Sequence, residues 1–475
     1  MNLIIDLING TLPTLQNQNV LHCVIYWFSN VLTLVFLFMY LHQWFYLILG
    51  TVYNKKPKKN KEHKKHSVGI VISARNEEAV IGNLIDSIQK NDYPKDLCKI
   101  FVIADNCTDS TAEICRNKGC YVFERNDTEH IGKGFALNYL FTKLHTEEKY
   151  KDLVPEAYIV LDADNVVKPN FITEINKVYD EGYEIVTSYR NSKNFSKNWI
   201  SSGYGLWFLH EARHLNNSRM ILHTSCSISG TGFLISKKVI EEYDNWKFFT
   251  MTEDIECATD FATTGRKAGY CSTAEFYDEQ PTTFKQSYVQ RERWAKGYYQ
   301  VLFKYSGKLI KGFFNNFSCW DMFTTLFPAL FLTIACFVFY PVIAIIASTA
   351  RDGANVLYAL EQLGSTFLMF YPIIFVIGLL VSITEWKKII CSPIKKILYM
   401  FTFPLFMYTY IPVSLGAIIR YKKIVWKPIL HKENLSIEDM ENDQEATKTI
   451  GNKPMNVLAD KTDASQNPEN DNVKK

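Results

Sequence analysis

Two carboxylates stand one residue apart at Asp162-Ala163-Asp164, directly after the apolar run Ile159, Val160 and Leu161. A short apolar run reads as a buried strand. Carboxylates at the carboxyl edge of such a sheet lie where open α/β folds bind ligands. Oxygen donors of this kind suit a hard cation, Mg2+ or Mn2+, whose shell is completed by phosphate oxygens. The pair therefore points to a metal–diphosphate site, although Asp-x-Asp alone also arises by chance in a chain of 475 residues.

Other residues could share that chemistry. Asp105-Asn106-Cys107-Thr108-Asp109 is a polar loop after an apolar run. Gly132-Lys133-Gly134 opens a helix whose free N–H groups could face an anion, or is a plain helix-start turn; its pattern is not that of a P-loop. Ser229-Gly230-Thr231-Gly232 is a further glycine turn, and Met251-Thr252 leads into the paired acids Glu253-Asp254. Those acids suit a general base, or simply the first turn of a helix. Across residues 284–302, helical spacing places Gln290, Arg293, Trp294 and Gly297 on one face. An Arg–Trp face suits a charged, ring-bearing ligand, or anchors an interfacial helix beside a membrane.

The elements that must hold these groups are legible in outline. Residues 68–73, 100–104, 121–123 and 159–161 read as strands. A helix after Asn76 puts Val80, Leu84, Ile85 and Ile88 on one face, with Asn76 as N-cap, and Ser110 or Thr111 caps the next helix. This alternation predicts a mostly parallel sheet covered on both faces, and residues 67–280 suit one domain.

The flanks are apolar. No charged side chain occurs from Leu7 to Asn54, and residues 20–50 are long enough to span a bilayer. No basic n-region marks this stretch as a cleaved signal. Seven lysines fall between Lys55 and Lys65, so the 51–66 linker is expected on the cytoplasmic side, against anionic lipid. Residues 322–350, 362–384 and 397–419 are further candidate spans. The lysine-rich loop 385–396 is expected in the cytoplasm. Three full crossings would put Arg420, Lys422, Lys423 and Lys427 outside, and Pro404 and Pro412 interrupt the last stretch, so one segment reads as re-entrant or interfacial. Residues 432–475 are polar and expected to be disordered. A net charge of +3 gives no case for nucleic acid, and eleven cysteines without paired spacing fit reduced thiols.

In this order, Ser73-Ala74-Arg75-Asn76-Glu77, Asp105 with Asp109, Lys133-Gly134-Phe135-Ala136-Leu137-Asn138, Asp162-Ala163-Asp164, Gly230-Thr231-Gly232, Thr252-Glu253-Asp254 and Gln290-x-x-Arg293-Trp294 resemble the membrane-embedded family 2 glycosyltransferases, the group of cellulose, hyaluronan and chitin-type synthases. The resemblance covers residues 67–297 and the flanking membrane layout. Two departures stand out: a single N-terminal span, and Ala-Asp-Asn-Cys-Thr-Asp in place of the Asp-Asp-x-Ser loop.

The resemblance implies an α/β GT-A-type nucleotide-sugar domain plus α-helical transmembrane segments. It implies that Asp105 and Asp109 meet the nucleoside, that Lys133 and Asp162 lie against the diphosphate, and that Asp164 binds Mg2+ or Mn2+. Asp254, paired with Glu253, would be the base, while Gln290, Arg293 and Trp294 would hold the diphosphate and acceptor. The expected organisation runs from an N-terminal span (1–50) and basic linker (51–66) through a transferase domain (67–280) and interfacial helices (281–320) to a membrane region (321–419). A basic juxtamembrane segment and tail (420–475) follow. The expected function is a multi-pass, cell-membrane enzyme with a cytoplasmic catalytic domain. It would polymerise a UDP-sugar, UDP-glucose before UDP-N-acetylglucosamine, into a β-linked polysaccharide. The alternatives are transfer to a lipid acceptor such as diacylglycerol, and a non-catalytic membrane subunit. An accessory subunit is left open.

Overall fold

The computed structural model describes residues 19–58, 62–327, 338–421, 435–439 and 442. Its centre is an eight-stranded sheet: β1 Val68–Ala74, β2 Cys98–Asp105, β3 Tyr121–Arg125, β4 Ala157–Asp162, β5 Val166–Val167, β6 Ile185–Ser192, β7 Phe233–Ser236 and β8 Ala268–Asp278. The spatial order is β3-β2-β1-β4-β7-β6-β8-β5. β3, β2, β1 and β4 are mutually parallel, as the apolar runs predict. β7 is antiparallel to β4 and β6, and β5 is antiparallel to β8, so the second half is mixed.

Buried runs explain the parallel half. Ile70, Val71, Ile72, Phe101, Val102, Ile103 and residues 157–161 have essentially no exposed surface. They pack with helix residues such as Leu84, Ile85, Leu137, Phe141 and Ile175 in one apolar core. Each such side chain contributes about 1.5–3 kcal/mol by leaving water.

Register then decides where the chemistry lies. Ser73 on β1 pairs with Asp162 on β4, and Ala74 pairs with Ala104, one step before Asp105. The amide of Gly232, just before β7, donates to Val160 O at 2.9 Å, which brings the 229–232 turn to the same edge. β6 and β8 run parallel, with a bulge at Ser188/Tyr189, and align Arg190 with Phe276 and Ser192 with Asp278.

Three described helical segments are long and apolar enough to cross a membrane: Val20–Val52, Gly353–Thr384 and Pro393–Ile419. Leu34, Phe38, Leu41, Phe45 and Leu368 are exposed on them, as lipid-facing side chains would be. The last segment breaks at Thr409 into Pro393–Tyr408 and Tyr410–Ile419. The expected span 322–350 falls partly outside the described residues. On either side of that gap are the helices Phe317–Leu326 and Tyr340–Thr349.

Three local expectations are corrected. Asn76 has φ 57° and is not a helix cap; it bridges to the neighbouring loop, accepting from the Thr108 amide at 2.8 Å. The helix it was expected to start runs Ile81–Gln89. Ser110 makes no cap hydrogen bond to the helix Thr111–Asn117, and the Thr111 hydroxyl donates to Asp109 at 2.6 Å. Of the tail, Leu435 and Ile437 pack against Val166 and Tyr277, and Lys90 pairs with Glu438 at 2.7 Å, so this short stretch docks on the domain. Nearly all the rest of 432–475 lies outside the described residues.

The domain is joined to its membrane helices by a buried polar cluster. Arg219, in the helix Asn217–Ile221, grips Asp321 of Phe317–Leu326 through two nitrogens at 2.8 and 2.9 Å. Tyr46 of the N-terminal helix donates to the same carboxylate at 3.0 Å. Both charged side chains are 2% exposed. Removing one member of such a pair strands the other, at a cost of ~3–5 kcal/mol, whereas an apolar pair of similar volume is often tolerated. Asp321→Leu should therefore lower the thermal midpoint of the detergent-solubilised protein sharply, and Arg219→Met combined with Asp321→Leu should recover most of that loss. Equal midpoints for single and double variants would remove the pair from this role.

Candidate active site

Lys133 is the first residue of the helix Lys133–Thr146, which follows Gly132 at φ 141°. Its ammonium bonds the Asp162 carboxylate and donates to Gly230 O at 2.7 Å. The Asp162 amide donates in turn to Thr231 Oγ1 at 2.9 Å. One cation thus ties the end of β4, the 229–232 turn and a helix start. Gly230 and Gly232 adopt φ 74° and 67°, and a Cβ on Gly232 would strike the Phe276 ring, so the turn requires glycine there.

The Asp162 side chain is 42% exposed, whereas Asp164 is buried and accepts from the Glu279 amide at 3.2 Å. Beside Asp164 lies buried Asp278, held by Arg190 Nε at 2.8 Å. Burial, with Asp164 nearby and Arg190 opposing, pushes the Asp278 carboxyl up to about 6. Mutually repelling carboxylates are where a divalent cation is most stabilising. Among the described residues no three acid, His or Cys side chains form a complete metal cage. The donor set fits a hard cation that brings phosphate ligands, as Mg2+ and Mn2+ do, and does not fit a structural zinc.

Glu253 and Asp254 open the helix Glu253–Thr263. Asp254 keeps surface open to the cavity, while Glu253 is 9% exposed. Burial raises both carboxyl pKa values, and for Glu253 the neighbouring Asp254 raises it further; Lys133 opposes the shift in each. The Asp254 carboxyl faces the Gly230 turn. Gly297 matters here: a Cβ on it would strike Thr252, so glycine lets the helix Phe284–Gly312 lie against the start of the helix that carries the acids.

Gln290, Arg293 and Trp294 project from that helix into the same cavity. Gln290 Oε1 and Arg293 Nε are buried without a hydrogen-bond partner among the described residues, although buried polar atoms are nearly always paired. They are aimed at something that accepts and donates. Trp294 meets Tyr204 and Phe208 edge-on, at 5.8 and 6.2 Å.

The structure brings Asp105, Lys133, Asp162, Asp164, Glu253, Asp254, Gln290, Arg293 and Trp294 to the lining of one cavity of about 1050 Å³. Asp105 is paired with buried Arg125 at 2.7 Å. Asp109 is not among the lining residues; it fastens loops, accepting from the Glu78 and Thr111 amides at 3.2 and 3.1 Å. Among the cavity residues that sequence reasoning missed are Arg190, Glu211 and Asp278. Their signals were faint, a lone charge in an apolar strand or in an aromatic-rich helix.

The sheet with its site at the carboxyl edge is a GT-A-type fold. Residues 66–297 match the family model described as "Glycosyltransferase like family 2", and the catalytic domain belongs to that family. A β-monoglucosyldiacylglycerol synthase of Synechocystis is 25% identical over 244 residues, 50% of this chain and 49% of that protein. A poly-β-1,6-N-acetyl-D-glucosamine synthase of Staphylococcus aureus is 24% identical over 279 residues, 54% of this chain and 63% of the other. The chain thus spans about half the length of the curated relatives it matches. In fold it is similar to the mannosyltransferase PcManGT of Pyrobaculum calidifontis, solved with GDP-Man and Mn2+. That likeness has a TM-score of 0.54 at 15% identity and covers 83% of this chain and 99% of that one.

A base works deprotonated, so a raised pKa moves the acid limb of kcat/KM upward. Activity should fall on acidification with a midpoint above the ordinary Asp value of ~3.9. Asp254→Asn should lower turnover by ~10²–10⁴-fold while UDP still binds. A pH–rate profile and UDP titration check both; a variant with wild-type turnover would exclude Asp254 as the base.

Proposed function

We propose that the protein is an inverting glycosyltransferase that takes its sugar from a UDP-sugar, UDP-glucose first and UDP-N-acetylglucosamine second, and extends a β-linked polysaccharide that leaves through its membrane helices. Asp105 and the loop stabilised by Asp109 receive the nucleoside. Lys133 and Arg293 hold the diphosphate in place, Asp162 lies against it, and Asp164 is the residue that would hold Mg2+ or Mn2+. When bound, such a cation supplies positive charge to the departing diphosphate.

This chain's own residues do the rest. The acceptor hydroxyl attacks the anomeric carbon from the face opposite the diphosphate, and Asp254 takes its proton. The carbon–oxygen bond to phosphate breaks, and its electron pair stays on the diphosphate, where Lys133 and Arg293 meet the developing charge. Fixed positive groups aimed at that charge cost no reorganisation during reaction. A second acid is unnecessary, because nucleoside diphosphate is already a stable anion.

The observation that carries the reading is the continuity of the cavity. From Asp162 and Asp254 it passes Trp294 and runs on between the membrane helices, where Tyr40, Trp44, Phe370 and Tyr408 line it together with Gln43 and Thr366. Aromatic faces with scattered hydroxyl and amide groups suit a sugar chain. A second reading, transfer to a membrane lipid, is favoured by Ile373, Ile374, Ile377 and Ile411 in the same walls, which suit acyl chains. In both readings the donor side faces the cytoplasm with the basic linker, in keeping with the positive-inside rule.

Membranes carrying the protein should be incubated with radiolabelled UDP-sugars, and the products separated into polymeric and lipid-soluble fractions. The account expects UDP-glucose to label a polymer that β-specific hydrolases digest. It also expects EDTA to stop the reaction and Mg2+ or Mn2+ to restore it. Label confined to the lipid fraction would replace the polymer reading with the second one, and a chelator-resistant enzyme would remove the metal from Asp164.

A further inference from the structure

Glu211 is a cavity carboxyl that neither donor binding nor proton removal uses. It begins a six-residue π-helical turn, Glu211–Asn216, set between the helices Trp199–His210 and Asn217–Ile221. Such turns insert an extra residue into a helix and occur often at functional sites. This one is fixed from behind. A Cβ on Gly50 of the N-terminal helix would strike Arg213 O and His214, so the two backbones are in direct contact there.

The turn aims Glu211 at the reacting centre. Its carboxyl lies within electrostatic reach of Asp254, Arg190 and Arg219, and near the Ser229 side chain. Tyr298 and Tyr410, both on the cavity wall, also feel its charge. One helical turn before it, Phe208 meets the ring of Trp294 and carries the Arg190 guanidinium 3.6 Å above its face. Glu211 therefore shares the cavity wall with Trp294 and Asp254, on a turn packed against the N-terminal helix. Burial raises its carboxyl pKa, so the group is suited to donate as well as accept a hydrogen bond.

We propose that Glu211 grips the acceptor: it hydrogen-bonds a hydroxyl beside the one that attacks, and thereby selects which hydroxyl is presented to Asp254. Glu211 itself forms and breaks no covalent bond. The acceptor's proton still passes to Asp254, and the electron pair of the breaking bond still leaves with the diphosphate. Without Glu211 the acceptor turns on the Trp294 shelf, and water competes for the activated sugar.

The inference rests on the glycosyl-transfer reading, and the test separates the two. In the full-length protein in membranes, UDP release, sugar transfer, product linkage and UDP affinity are measured for wild type, Glu211→Gln and Glu211→Asp. Glu211→Gln keeps the shape, and Glu211→Asp keeps the acid but draws it back by one methylene. Retained UDP affinity reports that each variant is folded. The expected result is a loss of transfer of about tenfold or more in Glu211→Gln, with a higher share of UDP release uncoupled from transfer, an altered linkage pattern and UDP affinity within about twofold. Glu211→Asp should fall between this variant and wild type. Unchanged transfer and linkage in Glu211→Gln, or a loss of UDP affinity that parallels the loss of transfer in both variants, would overturn the proposal. A wild-type protein that releases UDP from no UDP-sugar would instead overturn the glycosyl-transfer reading.

Discussion

The carboxyl groups of Asp162, Asp164, Glu211, Glu253, Asp254 and Asp278 are among those that line one cavity. Gathering so much negative charge away from bulk water is unfavourable unless positive charge is placed among it. Lys133 and Arg190 answer that need, the first on Asp162 and the second on Asp278. Lys133 also opposes the raised pKa values of Glu253 and Asp254. The rest of the site depends on this balance. On the proposed reading it leaves Asp254 able to ionise as the base, a carboxylate repulsion that a divalent cation would relieve, and Arg293 with a nitrogen that is unpartnered among the described residues.

The fold makes the balance durable. Parallel pairing of β1, β2 and β4 sets Asp105 and Asp162 on one edge, and antiparallel β7 returns the glycine turn to it. The helix Phe284–Gly312 then closes the cavity, able to approach because Gly297 has no side chain to meet Thr252. The membrane helices are not a separate anchor. Tyr46, Arg219 and Asp321 join three helices at the base of the domain, and Tyr189 donates to Glu385 at 2.6 Å, so the cavity and the candidate membrane helices are held in one frame.

Much of this was legible in the chain because strong local patterns carry it. Apolar runs ending on Asp105 and Asp162 gave both the strands and their functional ends, and helical spacing gave the shared face of Gln290, Arg293 and Trp294. The second half of the sheet was not legible. β8, Ala268–Asp278, mixes Gly, Ser, Thr and Glu with its apolar residues and shows no clean period, and with β6 it carries Arg190 and Asp278. Glu211 was hidden because a π-helical turn changes the direction of a side chain without a distinctive sequence. Asn76 and Asp109 misled for the opposite reason. Both have the composition of caps and ligands, and both fasten one loop to another.

The central claim is that donor chemistry and acceptor passage share one cavity. A structure of the full-length protein in a lipid nanodisc, trapped with UDP, Mg2+ or Mn2+ and its own product, tests it most directly. The account places the diphosphate between Lys133, Asp164 and Arg293, the terminal sugar on Trp294, and the product between the helices Val20–Val52 and Gly353–Thr384. A product that leaves the site toward the cytoplasm without entering between those helices, or a nucleotide bound away from Asp162, would contradict it.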